Sequence, residues 1–164
     1  MATVGAAALA CMVGIAAQPA QPAQAADDIF DHLTGSWAGA GSITLNTGTR
    51  ERIRCQAEYT ASDGGKAVRL AIKCASDSFK FELRSDLVAA GGSISGVWSE
   101  ITRRVAGSIT GKGTHERVDV TAISPTFSAL LTVVTRGNRQ NVTIRSPGSE
   151  MQEVAFSMAR GAKR

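Results

Sequence analysis

The stretch Glu51–Cys74, ERIRCQAEYTASDGGKAVRLAIKC, constrains the fold of this chain more than any other. On its first arm Ile53, Cys55, Ala57 and Tyr59 alternate with Arg52, Arg54, Gln56 and Glu58. On its second arm Val68, Leu70, Ile72 and Cys74 alternate with Arg69, Ala71 and Lys73. Apolar residues recurring with a period of two mark a strand with one buried face. Asp63-Gly64-Gly65-Lys66 lies between the arms, and Gly-Gly readily takes the positive φ angles of a tight hairpin turn. With Gly64 and Gly65 at the centre of the turn, Cys55 falls directly opposite Cys74. Both lie on the apolar face, and the pair is expected to form a disulfide.

Length and composition extend this hairpin into a fold class. The chain has 164 residues, 43% of them hydrophobic, enough for one core and one domain. Seventeen glycines suit many short strands joined by tight turns. Apolar alternation recurs from Trp37 to Leu45, from Phe79 to Leu83, from Ile94 to Glu100, from about Arg104 to Lys112 and over Val118–Ala122. It continues over Phe127–Val133, Val142–Ile144 and Val154–Met158. Turns such as Asn46-Thr47-Gly48-Thr49, Ala90-Gly91-Gly92 and Arg136-Gly137-Asn138-Arg139 separate these runs. This spacing marks an antiparallel up-and-down barrel or a sandwich, and the short connections between successive strands favour an all-β, up-and-down barrel of about eight to ten strands. Glycines at alternate positions of the first strand, Gly39 and Gly41, let it bend or let another backbone approach, as closure requires. Ahead of that strand, Asp27–Leu33 has an acidic start and apolar residues at Ile29, Phe30 and Leu33. This predicts a short helical turn lying as a lid over one barrel end.

The opening of the first strand, Gly35-Ser36-Trp37, resembles the Gly-x-Trp of calycin-type barrels: the lipocalins, the avidins and the small bacterial metalloprotease inhibitors. The resemblance implies a Trp37 that plugs one end of the barrel. The inhibitors have a similar short-range cysteine bridge early in their barrels. The further lipocalin motifs have no counterpart here, and the biotin-binding residues of avidins cannot be placed.

Residues 1–25 differ in kind. Ala2–Ala17 carries no charge, Gln18–Gln24 is broken by prolines, and Ala23-Gln24-Ala25 offers small residues where a signal peptidase reads. A signal peptide over 1–25 is expected, with a barrel domain over 26–164 and a periplasmic or secreted bacterial protein as the product. Leu9-Ala10-Cys11 also resembles the end of a lipobox, although Ala8 stands where Leu is preferred. The uncharged run is short for a membrane span, which takes about 20 residues. Export agrees with the disulfide, since oxidising compartments preserve such bonds.

Charge and motifs narrow the chemistry. Eighteen basic against fourteen acidic residues is a modest, scattered excess, and the eight aromatics form no stacking cluster, so nucleic acid is not an expected partner. Neither a G-x-S-x-G elbow nor any other defensible catalytic constellation is present, and Gly91-Gly92-Ser93 reads as a hairpin turn rather than a phosphate loop. The only histidines, His32 and His115, lie in different segments and read as separate solvated loop residues, so neither a metal nor a cofactor is expected. In VWSEITRR, Trp98 and Glu100 share the inward parity of Ile94 and Gly96. That points a carboxylate at the interior or the rim, with Arg103 or Arg104 as its partner, unless the strand stops at Ser99 and leaves Glu100 in a loop. Arg136 and Arg139 could join Arg103 and Arg104 in a basic rim that attracts an anion. The expected function is non-catalytic binding of a small apolar, amphipathic or anionic ligand, or of an envelope protein. Trp37, Trp98, Glu100, Arg103, Arg104 and Arg136 are its candidate residues. The alternative is a protein-interaction module, such as an inhibitor of an exported protease, with a filled core and an exposed Asp27–Leu33.

Overall fold

The expected alternation is realised in ten strands. In the computed structural model, which describes residues 28–161, they run β1 (Gly35–Leu45), β2 (Arg50–Ser62), β3 (Ala67–Ala75), β4 (Lys80–Ala90) and β5 (Ser93–Glu100). There follow β6 (Val105–Gly113), β7 (Arg117–Ile123), β8 (Ser128–Arg136), β9 (Arg139–Arg145) and β10 (Met151–Arg160). Each strand pairs antiparallel with the next, and β1 closes on β10 to complete a barrel. Closure removes free sheet edges and their unpaired backbone groups. The proposed signal peptide, its cleavage at Ala25 and Cys11 lie outside the described residues.

The cysteine hairpin forms in the expected register. Gly64 and Gly65 take φ of 62° and 86°, and Cys55 stands opposite Cys74 in the β2–β3 ladder. Their Cα atoms are 4.2 Å apart, close to the spacing of a non-hydrogen-bonded antiparallel pair, and the two sulfurs are bonded. The bridge joins neighbouring strands on the buried face. Inward positions on both arms, including Ile53, Ala57, Val68 and Ile72, complete that wall of the core.

An up-and-down barrel has two distinct ends, and alternate turns gather at each. At one end the N-terminal segment closes the barrel. Ile29 and Phe30 are 1% exposed and Leu33 is buried, while Asp31–Leu33 makes one 3-10 turn. The Phe30 N–H donates to the Gly65 carbonyl at 3.0 Å, and a Cβ on Gly65 would come within 2.7 Å of the Asp31 Cβ, so the cap seats directly on the β2–β3 turn. Below it, the Trp37 Nε1–H donates to the Leu33 carbonyl at 2.8 Å, and the Arg160 guanidinium lies 4.5 Å from the indole ring. Arg160 also donates to the carbonyls of His32 and Thr34, tying the end of β10 to the cap. Trp37 therefore plugs this end, as the Gly-x-Trp opening implies. Beside it a buried polar chain is fully paired: the Tyr59 hydroxyl donates to Gln140 Oε1 at 2.8 Å, and Gln140 Nε2 donates to Thr135 Oγ1 at 3.1 Å. Burial pushes the Tyr59 phenol above its usual range, so it stays protonated as a donor.

Candidate functional site: an apolar cavity at the open end

At the opposite end the barrel is not filled. The large, fully buried side chains belong to the cap and to β1, β2, β5 and β9: Trp37, Ile43, Ile53, Ile94 and Gln140 among them. Toward the open end of β7 and β8 the inward positions include the short side chains Ala122 and Ala129. Closed ten-stranded geometry sets the distance across the barrel, and short side chains on one wall cannot span it. The outcome is a cavity of about 340 Å³, within the usual range of small-molecule sites. Phe81, Leu83, Trp98, Ile109, Ala129 and Leu131 form much of its apolar wall. Its mouth is framed by Arg103 of the β5–β6 turn, Phe127 before β8, and Ser149–Met151 of the β9–β10 loop.

Three of the six sequence-predicted ligand residues meet there. Trp98, Glu100 and Arg103 all line the cavity. Trp98 is buried with its ring edge-on to Phe127 at 5.5 Å, and its Nε1–H is enclosed without an acceptor. The indole nitrogen packs against Gly107 of β6, and a buried donor left unpaired costs about 1–3 kcal/mol.

Glu100 ends β5 and is 7% exposed, so the strand does not stop at Ser99. Its partners are mainly backbone rather than the arginines. Oε1 accepts from the N–H of Glu82 at 3.0 Å, from the N–H of Thr102 at 3.2 Å and from the Thr102 hydroxyl at 2.5 Å. Oε2 accepts from the N–H of Arg103 at 2.6 Å, while the Arg103 guanidinium stands 4.0 Å away. Burial alone pushes this carboxyl up, but the Thr102 hydroxyl and the three backbone donors outweigh it and hold the group below the usual glutamate range. Glu100 is thus the cap that shapes the 101–104 turn and aims Arg103 at the mouth. Glu100→Gln places an amide against these donors and is expected to cost about 1–3 kcal/mol at neutral pH. Because the folded-state pKa is depressed, the carboxylate's contribution is present above the unfolded value and disappears as pH falls through the folded one. Urea unfolding at pH 7 and at pH 3 should therefore show the gap between wild type and variant closing in acid. A gap that is the same at both would remove this role from Glu100.

The other three candidates lie elsewhere. Arg104 sits in the same turn as Arg103, exposed and at φ 55°, outside the cavity wall. Trp37 belongs to the plugged end. Arg136 closes β8 at that plugged end, exposed, with its Nε 3.9 Å from the Glu116 carboxylate. A single basic rim joining Arg136 and Arg139 to Arg103 and Arg104 does not form, because the β8–β9 and β5–β6 turns are at opposite ends of a meander. Turn parity could have shown this from the strand count alone.

The histidines also depart from expectation. Rather than standing apart in solvent, His32 of the cap and His115 of the β6–β7 turn stack with ring centroids 3.8 Å apart. Both ring nitrogens of His32 are enclosed and make no well-formed hydrogen bond. Burial and the neighbouring His115 hold the His32 imidazole below its usual range. Here too parity was a usable signal, since the β6–β7 turn shares an end with the segment preceding β1.

No family profile matches the chain, and no characterised protein compared with it is similar in sequence. Solved structures do resemble it. The S-type phycobiliprotein lyase CPES from Guillardia theta aligns with a TM-score of 0.57 at 13% identity, over 84% of this chain and 93% of the lyase. Rv2717c from M. tuberculosis aligns with a TM-score of 0.58 at 14% identity, over 80% of this chain and 94% of its own. At such identities the likeness is one of fold: a ten-stranded antiparallel β-barrel, in keeping with the calycin-like architecture suggested by Gly35-Ser36-Trp37.

Proposed function

We propose that this protein is an exported, non-catalytic barrel that holds one small, mostly apolar ligand in its open-ended cavity, with an acidic or other oxygen-bearing group of the guest near the mouth. The observation that carries the proposal is the cavity of about 340 Å³, walled by apolar side chains and bordered by a few polar groups. Apolar walls supply binding free energy in proportion to the area removed from water, while a few placed polar groups orient the guest. Arg103 offers a guanidinium at the entrance. Export is supported by the leader-like composition of residues 1–25 and by a disulfide of the kind that oxidising compartments preserve.

The interaction-module alternative required a filled core and an exposed N-terminal segment. The cavity and the burial of Ile29, Phe30 and Leu33 both weigh against it. The structural resemblance to a phycobiliprotein lyase is one of fold and carries no ligand across.

Native mass spectrometry of the gently purified mature protein should show a bound small molecule, or uptake of one fatty-acid-sized amphiphile per chain when this is offered as a probe. Ala129→Phe puts a ring where a methyl now meets the cavity. It should abolish that uptake while costing only about 1–3 kcal/mol of stability, because the added atoms have a void to enter. Uptake that persists in a folded Ala129→Phe variant would move the ligand out of this cavity. A wild-type protein that takes up neither would end the proposal.

A further inference from the structure

Asp31, His32 and His115 converge at the plugged end, far from the cavity mouth. Asp31 and His32 belong to the 3-10 turn of the cap, and His115 belongs to the β6–β7 turn. One carboxylate oxygen, Asp31 Oδ1, lies 3.5 Å from His32 Nδ1 and 3.5 Å from His115 Nε2. One donor atom from each residue falls within 4.8 Å of the others. Ligand atoms around a tetrahedral ion, with bonds of about 2.0–2.1 Å, stand about 3.3 Å apart. The two separations from Asp31 are near that value, and rotation of the half-exposed His115 ring out of its stack on His32 brings the third to it. We propose that Asp31, His32 and His115 form a binding site for a divalent late-transition-metal ion of the zinc class, which staples the N-terminal cap to the β6–β7 turn.

The donor set selects the ion. Two imidazoles with one carboxylate suit zinc, nickel or copper(II), whereas calcium and magnesium want oxygen ligands throughout and copper(I) wants sulfur. His32 supplies the argument for a ligand rather than a chance meeting. Its ring nitrogens are enclosed and make no well-formed hydrogen bond, the Asp31 carboxylate standing off at 3.5 Å from Nδ1, so a donor and an acceptor of the imidazole are poorly met. A metal ion on Nδ1 satisfies one of them directly. Arg160, which donates to the His32 carbonyl, opposes a cation at this place, and the Asp31 carboxylate offsets it. Asp31 and His115 are about half exposed, so solvent reaches the site and can fill a fourth coordination position with water.

The consequence is mechanical. Ions of this class would link the cap to a turn more than eighty residues away in sequence, reinforcing a closure otherwise made by Trp37, Arg160 and the Phe30–Gly65 hydrogen bond. Binding to the folded state alone raises its stability by mass action. Titrating full-length, untagged protein, stripped of metal, with Zn²⁺ should show one equivalent bound. At a hundredfold excess over the dissociation constant the melting temperature should rise by about 5–10 °C. Co²⁺ in the same site should give visible absorption bands from nitrogen and oxygen ligands. His115 is 55% exposed at its side chain, so His115→Ala should fold like the wild type. It should bind Zn²⁺ at least tenfold more weakly and lose the thermal shift. His32→Gln should do the same if it folds. Equal Zn²⁺ affinity in wild type and His115→Ala would overturn the site and assign the binding to another ligand such as Cys11. Absence of stoichiometric binding to the wild type would overturn it outright.

Discussion

Trp37→Ala should lower the unfolding free energy by about 3–5 kcal/mol, a large share of the roughly 5–15 kcal/mol that holds a typical domain together. Three losses coincide at this residue. The indole is 1% exposed in the plugged end, so its removal leaves a hole among Leu33, Tyr59 and the cap rather than a surface that can collapse. The Leu33 carbonyl loses its donor, and the Arg160 guanidinium loses the ring beneath it. Trp98→Ala is the informative comparison. Trp98 is nearly as buried, but it borders space that is already empty, so its truncation enlarges a void instead of creating one and should cost clearly less. The test is urea unfolding of both variants at matched slope, so that midpoint differences report stability. A Trp98→Ala cost equal to or above that of Trp37→Ala would contradict the assignment of one plugged and one open end.

Gly39→Val should prevent the barrel from closing at all. Gly39 faces Met158 across the β1–β10 seam, and a Cβ there would lie 1.8 Å from the Ser157 carbonyl oxygen and 2.7 Å from the Met158 Cα. Both obstacles are backbone, fixed by the ladder, so no rotamer change relieves the overlap. Ordinary overpacking of a core costs about 1–3 kcal/mol because side chains can move aside. Here the strands themselves must part, and β1–β10 is the seam on which closure depends. Soluble yield and far-ultraviolet circular dichroism should both fall sharply for Gly39→Val. Ala38→Val, one residue away on the exposed face, should leave them unchanged because a β-branched residue suits an outward strand position. A Gly39→Val protein that melts with the wild type would show that close strand approach at this point is not needed.

How much of the molecule can be read before folding depends on the range of each interaction. Strand parity is decided by neighbouring residues, and turns by the few residues within them. The ten strands, their inward faces, the Cys55–Cys74 register and the lid formed by Ile29, Phe30 and Leu33 were therefore all legible in the order of residues. Inward placement of Trp98 and Glu100 follows from the same alternation. The surroundings of Glu100 were legible only in part: Arg103 is its ion-pair partner at 4.0 Å, as the sequence suggested, but the closer donors are the backbone N–H groups of Glu82, Thr102 and Arg103, which carry no sequence signature.

The sequence by itself determined an antiparallel chain of short strands with one apolar face, because a period of two and glycine-rich turns act locally, and it favoured a barrel over a sandwich. The pairing of β1 with β10 that closes the barrel is long-range and belongs to the tertiary structure. Only the tertiary structure decided which end of the barrel is filled. It alone separated Arg103 from Arg136, left a cavity beside Ala122 and Ala129, and stacked His32 on His115. Those outcomes depend on side-chain volumes summed across the barrel and on contacts between residues distant in the chain, and no local pattern encodes either.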